Sequence, residues 1–243
     1  MHLRTGGTDG RPVLLLHGGG VAGWMWDPLT ARLRPGLRLL VPDLPGHDRS
    51  AALAYHSHDA TATALERLLE DEARPVAVVG FSLGAQLAVL LAARRPDLVD
   101  RVCVVSALAR PPRARGATLA LVGATAGLAG RDWFARLQGR QLSVPADLLA
   151  DYVRTSASLS RSTLLASIGE NLRFTVPAGW CTFPGRALLL AGSREQRSVR
   201  ASAEALHRAL PHSAVEVVRG SGHDIPLRRP DLLAARLHAL LDG

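Results

Sequence analysis

The chain has 243 residues, 47% of them hydrophobic, which is enough to bury a sizeable core without help from disulfides or a structural metal. Its formal net charge is +8, but every basic residue other than histidine is Arg, and these are scattered from Arg4 to Arg236 with no dense block and no interleaved aromatics, which argues against a nucleic-acid surface. No run of about eighteen apolar residues occurs and MHLRTGGTDG lacks an apolar leader, so a cytoplasmic chain with no membrane role is expected, its oligomeric state open. Cys103 and Cys181 are unclustered and read as two free thiols, leaving no metal-ligand pattern.

In chain order, the first strand signal is Val13 to Leu16, followed by His17, Gly18, Gly19 and Gly20. Glycines here let the backbone approach a substrate oxygen. His17 reads as a strand-end residue shaping the loop. Beyond it, Trp26 reads as a packing anchor, and Trp24 as either packing or a substrate contact, so it stands as the substrate-binding candidate. A second strand, Leu37 to Val41, leads into DLPGHDRS, and a helical pattern covers Ala60 to Glu72.

The strand Val76 to Phe81 runs into Gly80, Phe81, Ser82, Leu83 and Gly84, after which a helix extends to Arg95 and is stopped by Pro96. A nucleophile on a sharp strand-to-helix turn needs small residues on both sides, and Gly80 and Gly84 supply them. Ser82 is the candidate nucleophile. The tetrahedral intermediate of acyl transfer needs two donors on its oxyanion, and the backbone N–H groups of Gly19 and Leu83 are the natural pair.

After a strand at Val102 to Val105 the strand–helix alternation fails from about Ala109 to Gly185, where only helical segments follow one another. Residues 109–185 therefore read as an insertion, dividing a core of residues 1–108 and 186–243. Within it GATLALVGATAGLAG is too Gly-rich for a strong isolated helix and is expected to pack on something.

Alternation resumes with Ala187 to Ala191, then Ser193, Arg194, Glu195 and Gln196. Glu195 is the only acid in that loop and the candidate orienting carboxylate, against a surface ion pair with Arg194 or Arg197. A helix at Ser198 to Leu210, a strand at Val215 to Val218 and the stretch SGHDIP follow, before a last helix at Asp231 to Leu241 started by Pro230. His223, on the loop after the last strand, is the candidate general base. His56, His58 and His207 read as solvated. Near-continuous apolar strands separated by helices point to an α/β fold, a mostly parallel sheet with helices on both faces.

HGGG after a strand, DLPGHDRS after the next, GFSLG, the Gly192 loop and SGHDIP together resemble the α/β-hydrolase family over nearly the whole chain, in the order nucleophile, acid, histidine. The resemblance implies a serine hydrolase with a helical lid, here residues 109–185, acting on a small-molecule substrate with no cofactor and no metal. Two departures stand out: Asp48 where the family commonly has Gly, and Glu195 where it commonly has Asp. Carboxylic ester hydrolysis through an acyl-enzyme on Ser82 is the first expectation. Thioester or carbon–carbon bond hydrolysis uses the same residues, and a ligand-binding protein with little turnover is the rival of another class. An apolar ester is expected as substrate, because Leu119, Leu121, Val122, Leu128, Trp133, Phe134 and Leu137 lie on segments that would cover the pocket, with Arg131 or Arg136 the side chains to receive any charged acyl group.

Overall fold

A computed structural model describes residues 1–8, 10–112, 115–126 and 131–242. Seven strands form one sheet in the order β1-β3-β2-β4-β5-β6-β7. They are β1 (Leu3–Gly7), β2 (Arg11–Leu16), β3 (Leu37–Pro42), β4 (Val76–Phe81), β5 (Val99–Val105), β6 (Arg186–Gly192) and β7 (Ala214–Val218). All neighbours pair in parallel except β1, which runs antiparallel to β3 along one edge. β1 escapes the sequence reading because LRTGG has neither an apolar run nor alternation, and four of its five residues are exposed. Its order comes from the ladder to β3 rather than from burial.

The middle strands are near-continuously apolar where they bury both faces, their charged residues Arg11, Asp100, Arg101 and Arg186 falling toward the strand starts. Along β2, Leu14 and Leu16 join one core while Val13 and Leu15 join the other. β4, β5 and β6 repeat the pattern, with Val78, Val104 and Leu189 on the first side and Val79, Cys103 and Leu190 on the second. Each fully buried Leu or Val contributes about 1.5–3 kcal/mol, so these strands carry much of the stability.

Ten α-helices are formed by the described residues: α1 (Asp27–Thr30), α2 (His58–Glu70), α3 (Leu83–Arg94), α4 (Arg115–Thr125), α5 (Asp132–Gln141), α6 (Leu149–Ser158), α7 (Arg161–Arg173), α8 (Arg197–Ala209), α9 (Ile225–Arg228) and α10 (Pro230–Asp242). α2, α3 and α8 cover the first face through Leu65, Leu87 and Leu206, and α1 and α10 cover the second through Leu29 and Leu237. Helices α4 to α7 all fall between β5 and β6, with no strand among the described residues there. α4 lies along α7 but none of its residues is buried, and Leu121 is 67% exposed. Among its described residues, the packing expected of that Gly-rich stretch is found against α7. No helix of the described residues is long and apolar enough to cross a membrane.

Candidate active site

Ser82 occupies the single residue between β4 and α3, with φ 53° and ψ −110°. A non-glycine residue pays about 1–3 kcal/mol for such a backbone, so the surroundings must hold it there. Its N–H donates to the Val105 carbonyl at 2.9 Å, and its own carbonyl accepts from Ala85 and Gln86 as the helix begins. A Cβ at Gly80 would lie 2.1 Å from the Gly84 oxygen, and one at Gly84 would lie 2.1 Å from the Leu16 oxygen. The two glycines are therefore required by contact distance, as the sharp turn predicted.

Glu195 sits in the turn after β6 and is 7% exposed. Its Oε1 lies 2.5 Å from His223 Nδ1, while Oε2 accepts from the Gly192 N–H at 2.6 Å and the Ser106 hydroxyl at 3.2 Å. An ionised carboxylate only accepts, so Nδ1 of His223 is the nitrogen that donates in this contact. The Phe81 ring packs on the imidazole with centroids 4.8 Å apart. Backbone bonds from Ser193 to Val218 and from Arg194 to Ser221 lace the two loops together. Among the described residues, Glu195 forms no surface ion pair with Arg194 or Arg197, its salt-bridge partner being His223.

Ser82, His223 and Glu195 line one cavity of about 530 Å³, which also has walls of Leu108, Leu172 and Arg194. Ser82 borders a second hollow of about 180 Å³, lined by Gly19, Leu83, Leu164 and Ile168. Asn171 of α7 lines both. The predicted residues are thus gathered at the C-terminal edge of the sheet, where β2, β4, β6 and β7 end, with one exception. Trp24 lines neither hollow. Its indole donates to Thr155 Oγ1 at 2.9 Å and its ring meets Tyr152 edge-on, so it anchors α6 to the core instead of touching a substrate there.

Further expectations change. His58 is not solvated: it is buried between Tyr55 and Gln86, its Nδ1 2.8 Å from the Tyr55 hydroxyl and its Nε2 2.7 Å from Gln86 Oε1. His17 does shape the loop, accepting from the Leu44 N–H at 2.8 Å and contacting the Gly18 carbonyl, and burial together with neighbouring His47 pushes its pKa well below the ordinary histidine value. None of Leu119, Leu121, Val122, Trp133, Phe134 and Leu137 lines the large cavity, and Leu128 lies outside the described residues. Arg131 and Arg136 do not line it either, and Arg136 pairs with Asp132. Three contributors were missed. Ser106, buried with φ 59° at the end of β5, could have been suspected as a strand-end residue beside the site. Gln86, fully buried in an Ala/Leu-rich helix, was a polar anomaly, and Arg194 was read only as a partner for Glu195.

A strained serine at a strand–helix turn, beside a carboxylate-held histidine on a parallel sheet, defines the architecture of a hydrolase. The chain matches the profile of the alpha/beta hydrolase family over residues 13–236, and it belongs to that family. It is 37% identical over 106 residues to a pimeloyl-[acyl-carrier protein] methyl ester esterase of Vibrio vulnificus, covering 44% of this chain and 40% of that protein. It is 41% identical over 101 residues to Lipase LipV of Mycobacterium tuberculosis, covering 41% of this chain and 38% of that one. These matches therefore span about two fifths of each relative's length. The fold is also that of an esterase from Exiguobacterium antarcticum, with a TM-score of 0.86 at 19% identity over 100% of this chain and 95% of the other.

Proposed function

We propose that this α/β-hydrolase cleaves carboxylic esters through an acyl-enzyme on Ser82. The observation that carries the reading is the held imidazole: Glu195 fixes the Nδ1–H tautomer of His223, whose free Nε2 shares a cavity with the Ser82 hydroxyl. In the first half-reaction Nε2 takes the Ser82 proton as Oγ bonds to the ester carbon. Negative charge on the carbonyl oxygen is met by the N–H groups of Gly19 and Leu83, and the Glu195 carboxylate stabilises the imidazolium. Nε2 then protonates the departing alkoxide. Water, deprotonated by the same nitrogen, attacks the acyl-enzyme, and the acid leaves as Ser82 regains its proton. No step calls on a metal or an organic cofactor.

The two hollows that meet at Ser82 suit the two halves of an ester. Residues 109–185 act as the lid in this reading, because Asn171 and Leu172 from α7 and Pro112 from the preceding segment wall the cavity. The esterase and lipase names of the two relatives agree with the reaction class. The test is covalent labelling: a fluorophosphonate should mark the wild type and not Ser82→Ala, and nitrophenyl ester turnover should fall by roughly four decades in that variant. A labelled Ser82→Ala, or one retaining a tenth of the activity, would overturn the assignment.

A further inference from the structure

Among the described residues lining the larger cavity there is one arginine that the catalytic scheme does not use, the exposed Arg194. Arg194 immediately precedes Glu195 and lines the cavity with Ser82 and His223. Its backbone is tied down, the N–H donating to the Ser221 carbonyl at 2.9 Å. Its guanidinium has no ion pair and no hydrogen bond among the described residues, whereas Arg95, Arg154 and Arg236 each hold a carboxylate. The adjacent acid makes no ion pair with it among the described residues; both oxygens of Glu195 are hydrogen-bonded to His223, Gly192 and Ser106.

The same wall continues into the first turn of α8, where Gln196, Ser198 and Val199 line the cavity. That turn contains no acidic residue, and Gln196 makes no side-chain cap, so the positive end of the helix dipole adds to the guanidinium's field. Leu108, Pro112 and Leu172 add apolar lining to the same cavity. A planar guanidinium beside apolar walls recognises a carboxylate through two parallel N–H bonds, with neutral groups unable to replace the charge.

We propose that Arg194 receives an anionic group on the substrate, a carboxylate in the first instance, so that the preferred esters carry a second, ionised terminus on an apolar chain. This rests on the ester-hydrolase reading above and names its substrate class. It also moves the charge-receiving role from Arg131 and Arg136 to the acid loop itself.

The test compares kcat/KM for a dicarboxylic half-ester with that for its neutral diester of equal chain length, in the wild type, Arg194→Gln and Arg194→Lys. The wild type should favour the half-ester by about tenfold, Arg194→Gln should bring the ratio close to one, and Arg194→Lys should retain part of it. A wild-type ratio near one, or a preference that survives Arg194→Gln, overturns the proposal. Adipate binding to Ser82→Ala, followed by calorimetry, reads the same contact without turnover. It should weaken with added salt and be lost in Ser82→Ala/Arg194→Gln. If neither ester is cleaved, the hydrolase reading falls, and adipate still decides the role of Arg194: no binding, or equal binding to both variants, rules it out.

Discussion

Arg154 of α6 grips Asp48 with two nitrogens, Nε 3.1 Å from Oδ1 and Nη2 3.0 Å from Oδ2. Asp48 has φ 42°, a conformation that glycine adopts freely and aspartate tolerates better than most residues. Its presence in place of the family's usual Gly thus has a physical reason: the carboxylate, 8% exposed, ties the inserted helices to the loop after β3. Thr155, the next residue of α6, takes the Trp24 indole, so two consecutive residues pin this helix.

Arg154→Met would keep the side-chain stem but leave the Asp48 carboxylate without its partner, at a cost of about 1–3 kcal/mol, or a fall in Tm of several degrees for a chain of this size. Asp48→Gly in that background removes the stranded charge and relieves the backbone. Thermal unfolding should therefore show the double variant more stable than Arg154→Met alone. The opposite order would mean that Asp48 stabilises through contacts other than Arg154.

The Glu195–His223 contact predicts a tautomer effect. In Glu195→Gln the amide can donate to Nδ1, which forces the proton onto Nε2 and removes the base, so kcat should fall by roughly two to four decades. Ser106→Ala leaves Oε1 on His223 and the Gly192 N–H on Oε2, so its loss should stay within about tenfold. Steady-state rates on one neutral ester check both. Equal losses would assign Ser106 a larger part than orienting the carboxylate.

Much of this was legible because burial on both faces writes itself as continuous Val/Leu runs, and because close backbone approach at Gly80 and Gly84 admits no other residue. Ser82, Glu195 and His223 could be placed near one edge because each lies in a turn or loop after a parallel strand, although β7, ahead of His223, is largely exposed. What could not be read depends on neighbours distant in sequence. β1 exists through its ladder, His58 is buried only because α2, α3 and α7 converge on it, and the cavity walls come from Asn171 and Leu172 of α7 and Thr118 of α4 instead of the apolar side chains of α4 and α5. Periodicity tells which face of a helix is apolar but not what lies against it.

Three buried histidines predict acid lability. Burial is the leading cause that lowers the pKa of His17, His47 and His58, from an unfolded value of 6.5. Between those depressed values and 6.5 the unfolded chain binds more protons than the folded one, so stability present above the unfolded value is lost as pH falls. Each ring contributes up to about 1.4 kcal/mol per pH unit across that window. Asp43 has the opposite sign, its pKa raised by burial from 3.8, and acts only toward the acid end. Tm should drop steeply on acidification from about pH 6.5 to pH 5, and less steeply in His58→Asn. A flat profile would mean that these rings meet protons in the folded state.

Gln86 carries the last prediction. It lies one helical turn beyond Ser82, whose carbonyl accepts its backbone N–H at 3.2 Å. Its side-chain nitrogen donates to the carbonyls of Leu108 at 2.6 Å and Asn171 at 3.0 Å, and its oxygen faces His58 Nε2. With both amide protons committed to carbonyls, the oxygen must accept, so His58 carries its proton on Nε2 and Nδ1 accepts from Tyr55. Leu108 and Asn171 wall the cavity, so one side chain sets the spacing between the serine turn, the loop after β5 and α7. Gln86→Leu would fit the space but strand two buried carbonyls and the His58 N–H, costing about 2–4 kcal/mol. Because the walls shift while Ser82, His223 and Glu195 keep their own bonds, KM should rise by more than kcat falls. Gln86→Glu retains the acceptor for His58 and loses both donors, so its KM should rise as well, while His58 beside a carboxylate becomes easier to protonate and the acid sensitivity of Tm diminishes. Ester kinetics and pH-dependent melting on the two variants separate these effects. A KM unchanged in both would mean that the cavity walls are held from elsewhere.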